Sequence, residues 1–205
     1  MTIILDNTGK RFGREWIFRK INYQFSSGKS YALLGPNGSG KSTLLQLLAC
    51  HLSPTEGTVT YATGRQPLDA DDVFRHISLC APYMQLIEEL TLDEQVAFHF
   101  NFKKPLNGIS PDALIELLGL TEHADKQLRY FSSGMKQRVK FCLALMTDVP
   151  VLLLDEPATN LDENGVNWYK MLLSEYRKER LLIIASNRAE EHEMCGEKIL
   201  LTDYK

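Results

Sequence analysis

The chain has 205 residues, 44% hydrophobic and 24% charged, the balance of an ordinary globular domain with enough length for one sizeable core. A net charge of -3 argues against the broad basic field that holds nucleic acid. No stretch approaches the roughly 20 apolar residues of a membrane span, the start lacks the pattern of a signal peptide, and four scattered cysteines with no C-x-x-C pair argue for reduced cytosolic thiols rather than a disulfide framework or a zinc site.

Residues 1–34 read as β-structure. Ile3-Ile4-Leu5 is strand-like, Ile21 to Phe25 alternates apolar and polar, and Lys10-Arg11-Phe12-Gly13 puts an aromatic at a turn. Ser30 to Leu34 is a short buried strand. It runs into Gly35-Pro36-Asn37-Gly38-Ser39-Gly40-Lys41-Ser42-Thr43, which fits G-x-x-x-x-G-K-[ST] at every fixed position. A helix over 41–52 follows. Strand, glycine-rich turn and helix N-terminus together make an anion site, because successive backbone N–H groups point inward and the helix end adds partial positive charge. Lys41 is placed to reach β- and γ-phosphates, and the Ser42 hydroxyl to join a Mg²⁺ shell otherwise made of water and phosphate oxygen.

Pro54 and Gly57 break the helix, Thr58 to Tyr61 is a strand, Asp69 to Arg75 a short helix, and Ile77 to Ala81 a strand ending at Pro82. Residues 91–146 change character. Thr91 followed by Asp93 and Glu94 is a helix start, and Ser110-Pro111-Asp112 is another. Phe131-Ser132-Ser133-Gly134-Met135 is a hydroxyl-rich turn before a helix from Gln137 to Met146, a second helix start suited to phosphate. Val151 to Leu154 and Leu181 to Ala185 are continuous apolar runs, as parallel strands covered on both faces require; a helix spans 164–178 between them, and Ile199-Leu200-Leu201 is a last strand. Asp155 and Glu156 stand at the C-terminal end of their strand, where open parallel sheets bind ligands. Asp155 suits the metal and Glu156 the attacking water.

The order of phosphate loop, helical insert, serine-glycine turn, Asp-Glu strand and Ala158-Thr159-Asn160-Leu161-Asp162 resembles the ATP-binding subunit of ABC transporters over nearly the whole chain. The resemblance implies an α/β fold of the P-loop NTPase type: a mainly parallel sheet, an N-terminal antiparallel β-subdomain and an inserted α-helical subdomain. It implies one domain over 1–205, with 1–90 and 147–205 as core and about 91–146 as the helical part. The expected substrate is ATP with Mg²⁺, hydrolysed to drive transport through separate transmembrane permease subunits. A second ATP-binding subunit completes the site, with no nucleic acid partner and membrane contact only through the permease, on the cytoplasmic face. By the same resemblance Phe12 stacks on adenine, Gly35 through Thr43 hold the phosphates, Ser132 and Gly134 contact the γ-phosphate of the other subunit, and Asn160–Asp162 crosses the dimer seam. Ser42 and Asp155 hold the metal, and Glu156 and Asn187 are catalytic.

Three positions depart from the family pattern. The signature Leu-Ser-Gly-Gly-Gln here reads Phe131-Ser132-Ser133-Gly134-Met135, Pro82 stands where a metal-contacting glutamine is usual, and Asn187 replaces a histidine at the γ-phosphate. Asn187 donates only a neutral hydrogen bond and carries no proton near neutral pH. Slowed hydrolysis follows, and His192, five residues on, is expected at the surface. The chain ends soon after its last strand, which points to an exporter. Two other readings remain: a binding switch with little turnover, and a non-transport member of the same family.

Overall fold

The computed structural model describes residues 1–205. Two sheets divide the work. The first is antiparallel, in the order β2-β1-β4-β5, built from β1 (Thr2–Phe12), β2 (Glu15–Ser26), β4 (Glu56–Thr63) and β5 (Gln66–Leu68). β1 and β2 form a hairpin turning at Gly13 and Arg14, with Phe12 opposite Glu15. The second sheet is parallel, in the order β6-β7-β8-β3-β9, from β3 (Ser30–Leu34), β6 (Ile77–Cys80), β7 (Val151–Asp155), β8 (Leu181–Ala185) and β9 (Glu197–Leu200).

Every residue of β7 and β8 is buried, which explains their unbroken apolar sequence. Alternate side chains point to opposite faces. Leu152, Leu154, Leu182 and Ile184 enter one core with Phe141, Tyr169 and Leu172. Val151, Leu153, Leu181 and Ile183 enter the other with Leu44, Leu48, Phe18 and Phe25. The first core rests under α4 (Ser133–Leu145) and α5 (Glu163–Tyr176), the second under α1 (Lys41–Leu48) and the antiparallel sheet. Between β6 and α4 lie α2 (Leu92–Phe102) and α3 (Pro111–Leu118). Thr91 closes a full capping box with Glu94, and Ser110 caps α3 with Pro111 at its start. A short α6 (Ala189–His192) follows β8.

Local boundaries differ from the sequence reading. Helix α1 ends at Leu48, α5 spans 163–176, residues 70–75 form a 3-10 turn, and Leu201 opens a 3-10 turn rather than closing β9. Helix α4 begins at Ser133, not Gln137, because the Ser132 hydroxyl accepts from the Met135 amide and so starts the helix inside the turn. His192 is not at the surface: it is only 6% exposed, at the end of α6. α6 packs against α5 and β8, so its inner face is covered. No helix is long and apolar enough to cross a membrane.

Candidate functional site

The phosphate loop connects β3 to α1 at the C-terminal edge of the parallel sheet. Gly40 caps α1 with φ 104°, and a Cβ there would stand 2.5 Å from the Ile17 side chain. Only glycine meets both the dihedral and the space. The loop encloses a cavity of about 300 Å³ lined by Ile17, Asn37, Gly38, Gly40, Lys41, Ser42, Thr43 and Glu156. A larger groove of about 580 Å³ lies at the opposite ends of β7 and β8. Its buried Arg180 donates to the carbonyls of Leu145, Thr147, Tyr176 and Arg177, and so holds the ends of α4 and α5. That groove carries no comparable constellation.

Lys41 is 6% exposed and folds back on its own loop, Nζ to the Gly35 carbonyl at 2.7 Å and to that of Pro36 at 3.3 Å. Burial lowers its pKa, while Glu156 and Asp155 draw it back up. Asp155 is 2% exposed. Burial pushes its carboxyl up to about 6; the Ser42 hydroxyl and Lys41 pull it down, and Glu156 opposes them. One Asp155 oxygen and the Ser39 hydroxyl are buried without any hydrogen-bond partner. An orphaned carboxylate oxygen beside a hydroxyl fits a divalent cation, and the orphaned Ser39 hydroxyl fits a phosphate oxygen. No group of three or more His, Cys, Asp or Glu gathers anywhere, so such a cation would take its remaining ligands from substrate and water.

Glu156 is held in the left-handed region, φ 44°, a strained conformation that its neighbours must enforce. Its amide donates to the Ala185 carbonyl at 2.9 Å, and Thr159 Oγ1 donates to its carboxylate at 3.3 Å. The segment behind it is anchored too: Gln137, buried in α4, donates from Nε2 to the Pro157 carbonyl at 2.7 Å. Asn187, exposed after β8, donates from Nδ2 to Oδ1 of Asn37 at 3.0 Å. Phe12 is 49% exposed at the end of β1 with the Lys10 ammonium 5.2 Å from its ring centre.

Pro82 follows β6 in a turn closed by the Met84 amide on the Ala81 carbonyl. The next side chain, Tyr83, is partly exposed. Burial and the nearby Asp155 charge push its phenol up to about 12.

Asn37, Lys41, Ser42 and Glu156 thus line one cavity, with Asp155 buried near Lys41 and Ser42 and Asn187 bonded to Asn37. Ser132 and Gly134 do not line that cavity; a Cβ on Gly134 would stand 3.0 Å from the Asn160 carbonyl. Sequence reading missed Ile17, Gln137 and Thr159. Gln137 left a signal, a polar side chain in an otherwise apolar helical face.

A family model described as ABC transporter matches residues 18–159. Among known proteins, the chain is 31% identical over 188 residues to the lantibiotic transport ATP-binding protein SrtF of Streptococcus pyogenes, covering 89% of this chain and 78% of that one. It is 36% identical over 165 residues to the sulfate/thiosulfate import ATP-binding protein CysA of Synechocystis sp., covering 79% of this chain and 46% of that one. A putative ABC transporter ATP-binding protein from Pyrococcus furiosus superposes over the full length of both chains with a TM-score of 0.82 at 20% identity. A dimeric ATP-binding cassette, MJ0796, solved after hydrolysis with ADP and phosphate, matches 97% of this chain and 93% of its own with a TM-score of 0.82 at 24% identity.

Proposed function

Because the chain belongs to the ABC transporter family, we propose that it binds and hydrolyses ATP as the subunit that powers separate membrane-spanning subunits. The observation that carries this reading is Glu156, held at the mouth of the phosphate-loop cavity beside Asp155 and oriented by Thr159. A site that only bound nucleotide would have no use for a second carboxylate there.

The loop amides and the N-terminus of α1 receive the phosphates. Lys41 exchanges its Gly35 carbonyl for β- and γ-phosphate oxygens. Ser42 and Asp155 would hold Mg²⁺, which would supply charge neutralisation for phosphoryl transfer. Glu156 takes the proton of the attacking water as its oxygen bonds to the γ-phosphorus and the bond to the bridging β–γ oxygen breaks, leaving ADP and phosphate. Asn187 leaves Asn37 to donate one neutral hydrogen bond to the γ-phosphate. Phe12 stacks on the adenine, and Ile17 closes the apolar side of the loop. Ser132 and Gly134 serve the γ-phosphate of a second ATP-binding subunit, for which their distance from this chain's own cavity is support.

The membrane-spanning partner docks on the side where Tyr83, Met84 and Ile87 stand exposed near the groove between β6, α2 and α4. In this reading the chain works at the cytoplasmic face of the membrane. SrtF and CysA carry different cargoes in their names, so the transported solute belongs to the partner.

Substitution Glu156→Gln tests the hydrolytic role. With the membrane partner present, turnover is expected to fall about 10²–10⁴-fold, the usual worth of a general base, with ATP affinity kept within threefold. Unchanged turnover would replace this reading by that of a binding switch, which the neutral Asn187 favours.

A further inference from the structure

The strained Glu156 is followed by a second non-glycine residue in the left-handed region, Asn160 at φ 65°. Between them lies Ala158, fully buried. Strain of this kind persists only where surroundings over-determine the backbone, and the Ala158 carbonyl is held by a side chain from the segment after β8. Arg188 Nη1 donates to that carbonyl at 3.2 Å. Glu191, 0% exposed, lies beside that contact. Glu191 faces the Arg188 guanidinium, with Arg188 Nη1 3.6 Å from Glu191 Oε1.

The grip is itself braced. The Arg188 amide donates to Ser186 Oγ at 2.9 Å, its Nε donates to Glu190 at 3.0 Å, and the Tyr169 hydroxyl donates to the Glu191 carbonyl at 2.8 Å. Neither Glu191 carboxylate oxygen completes a hydrogen bond of ordinary geometry. A wholly buried carboxylate so thinly satisfied is expensive to keep. It does not line the phosphate cavity. Its place is explained by what it holds rather than by what it binds.

From this geometry we infer that Arg188 and Glu191 are positioning residues for hydrolysis, Arg188 holding the Ala158 carbonyl and Glu191 holding Arg188, so that Glu156 on one side and Asn160–Asp162 on the other keep their working positions. Arg188 also adjoins Asn187, so one residue ties together the two segments facing the γ-phosphate. The inference rests on the hydrolytic reading of Glu156.

The test uses Arg188→Met, Glu191→Gln, the double variant and Arg188→Lys, each isolated with its membrane partner. Arg188 is 44% exposed, so its replacement is compatible with folding. Expected are a turnover at least tenfold lower in each neutral variant, ATP affinity within threefold of wild type, and a double variant no slower than the worse single one, since both act through one peptide. Arg188→Lys, which keeps a donor for the Ala158 carbonyl, should recover part of the loss. The inference is overturned if folded Arg188→Met turns over at the wild-type rate, or if the two losses multiply. It is equally overturned if the loss appears as weakened ATP binding with turnover intact. Glu156→Gln run alongside separates the two failures: if it is slow while Arg188→Met is not, only the clamp falls; if it too is unchanged, the hydrolytic reading falls first.

Discussion

Asn187 and Gly40 show how much a single side chain, or its absence, decides at this site. Asn187 donates to Asn37 at 3.0 Å; in the proposed mechanism it offers the γ-phosphate a neutral donor, about half as strong as a charge-assisted one. Replacing it with histidine should raise turnover severalfold near pH 6.5 with ATP affinity within twofold, read by steady-state phosphate release. No gain would mean that Asn187 does not face the phosphate in the closed state. At Gly40, an added methyl meets Ile17 at 2.5 Å in a backbone with φ 104°. Gly40→Ala is therefore expected to weaken ATP binding at least tenfold, measured by titration calorimetry, because the loop must shift before its amides converge. The loop was legible residue by residue because its pattern is local. Arg188 and Gln137 were not, because their partners lie 30 and 20 positions away in sequence, and nothing in either residue type announces a backbone carbonyl as its target.

Elements are legible where burial dictates their composition. The apolar runs of β7 and β8 announce strands covered on both faces, and Thr91 and Ser110 announce helix starts. The start of α4 was misplaced because Ser132 and Gly134 read as a turn, whereas the Ser132 cap already belongs to the helix. The contact of α2 with the end of α4 was invisible in the sequence and has a pH signature. His99 on α2 lies 2.9 Å from Thr147 Oγ1, and Thr147 donates its own proton to the Leu143 carbonyl at 2.7 Å. His99 Nε2 must therefore be the donor, which suits a neutral ring. Burial, assisted by the Lys103 charge, pushes the His99 pKa down to about 4, against about 6.5 when unfolded. The unfolded chain thus binds more protons between these values. The stabilisation is complete above about pH 6.5 and is lost as pH falls toward 4, at no more than about 1.4 kcal/mol per pH unit. Denaturant unfolding at pH 7.5 and pH 5 should show this loss, and His99→Gln should flatten it. An equal pH slope in the variant would assign the effect elsewhere.

At the scale of the whole molecule, one chain holds two half-sites that do not meet. The phosphate loop and Glu156 line one cavity, while Ser132 and Gly134 are outside its lining, Gly134 packing against Asn160. Either the second half-site is idle or it serves another copy, and the two cases separate by complementation. In Lys41→Ala the loop loses its charge toward the phosphates; in Gly134→Arg a bulky cation fills the serine-glycine turn. Each variant alone should hydrolyse ATP at under a tenth of the wild-type rate. If the halves work in trans, a mixed dimer retains one composite site with both parts intact, the loop of the Gly134→Arg chain facing the turn of the Lys41→Ala chain. Co-expression with distinct tags and purification through both should then recover roughly half the wild-type turnover. If Ser132 and Gly134 act only within their own chain, every site in the mixture carries a defect and no recovery is seen. A chain that pairs with a different ATP-binding subunit makes the same prediction in asymmetric form: Gly134→Arg silences the partner's site and Lys41→Ala its own, so trapping of labelled nucleotide after photolabelling falls on opposite subunits.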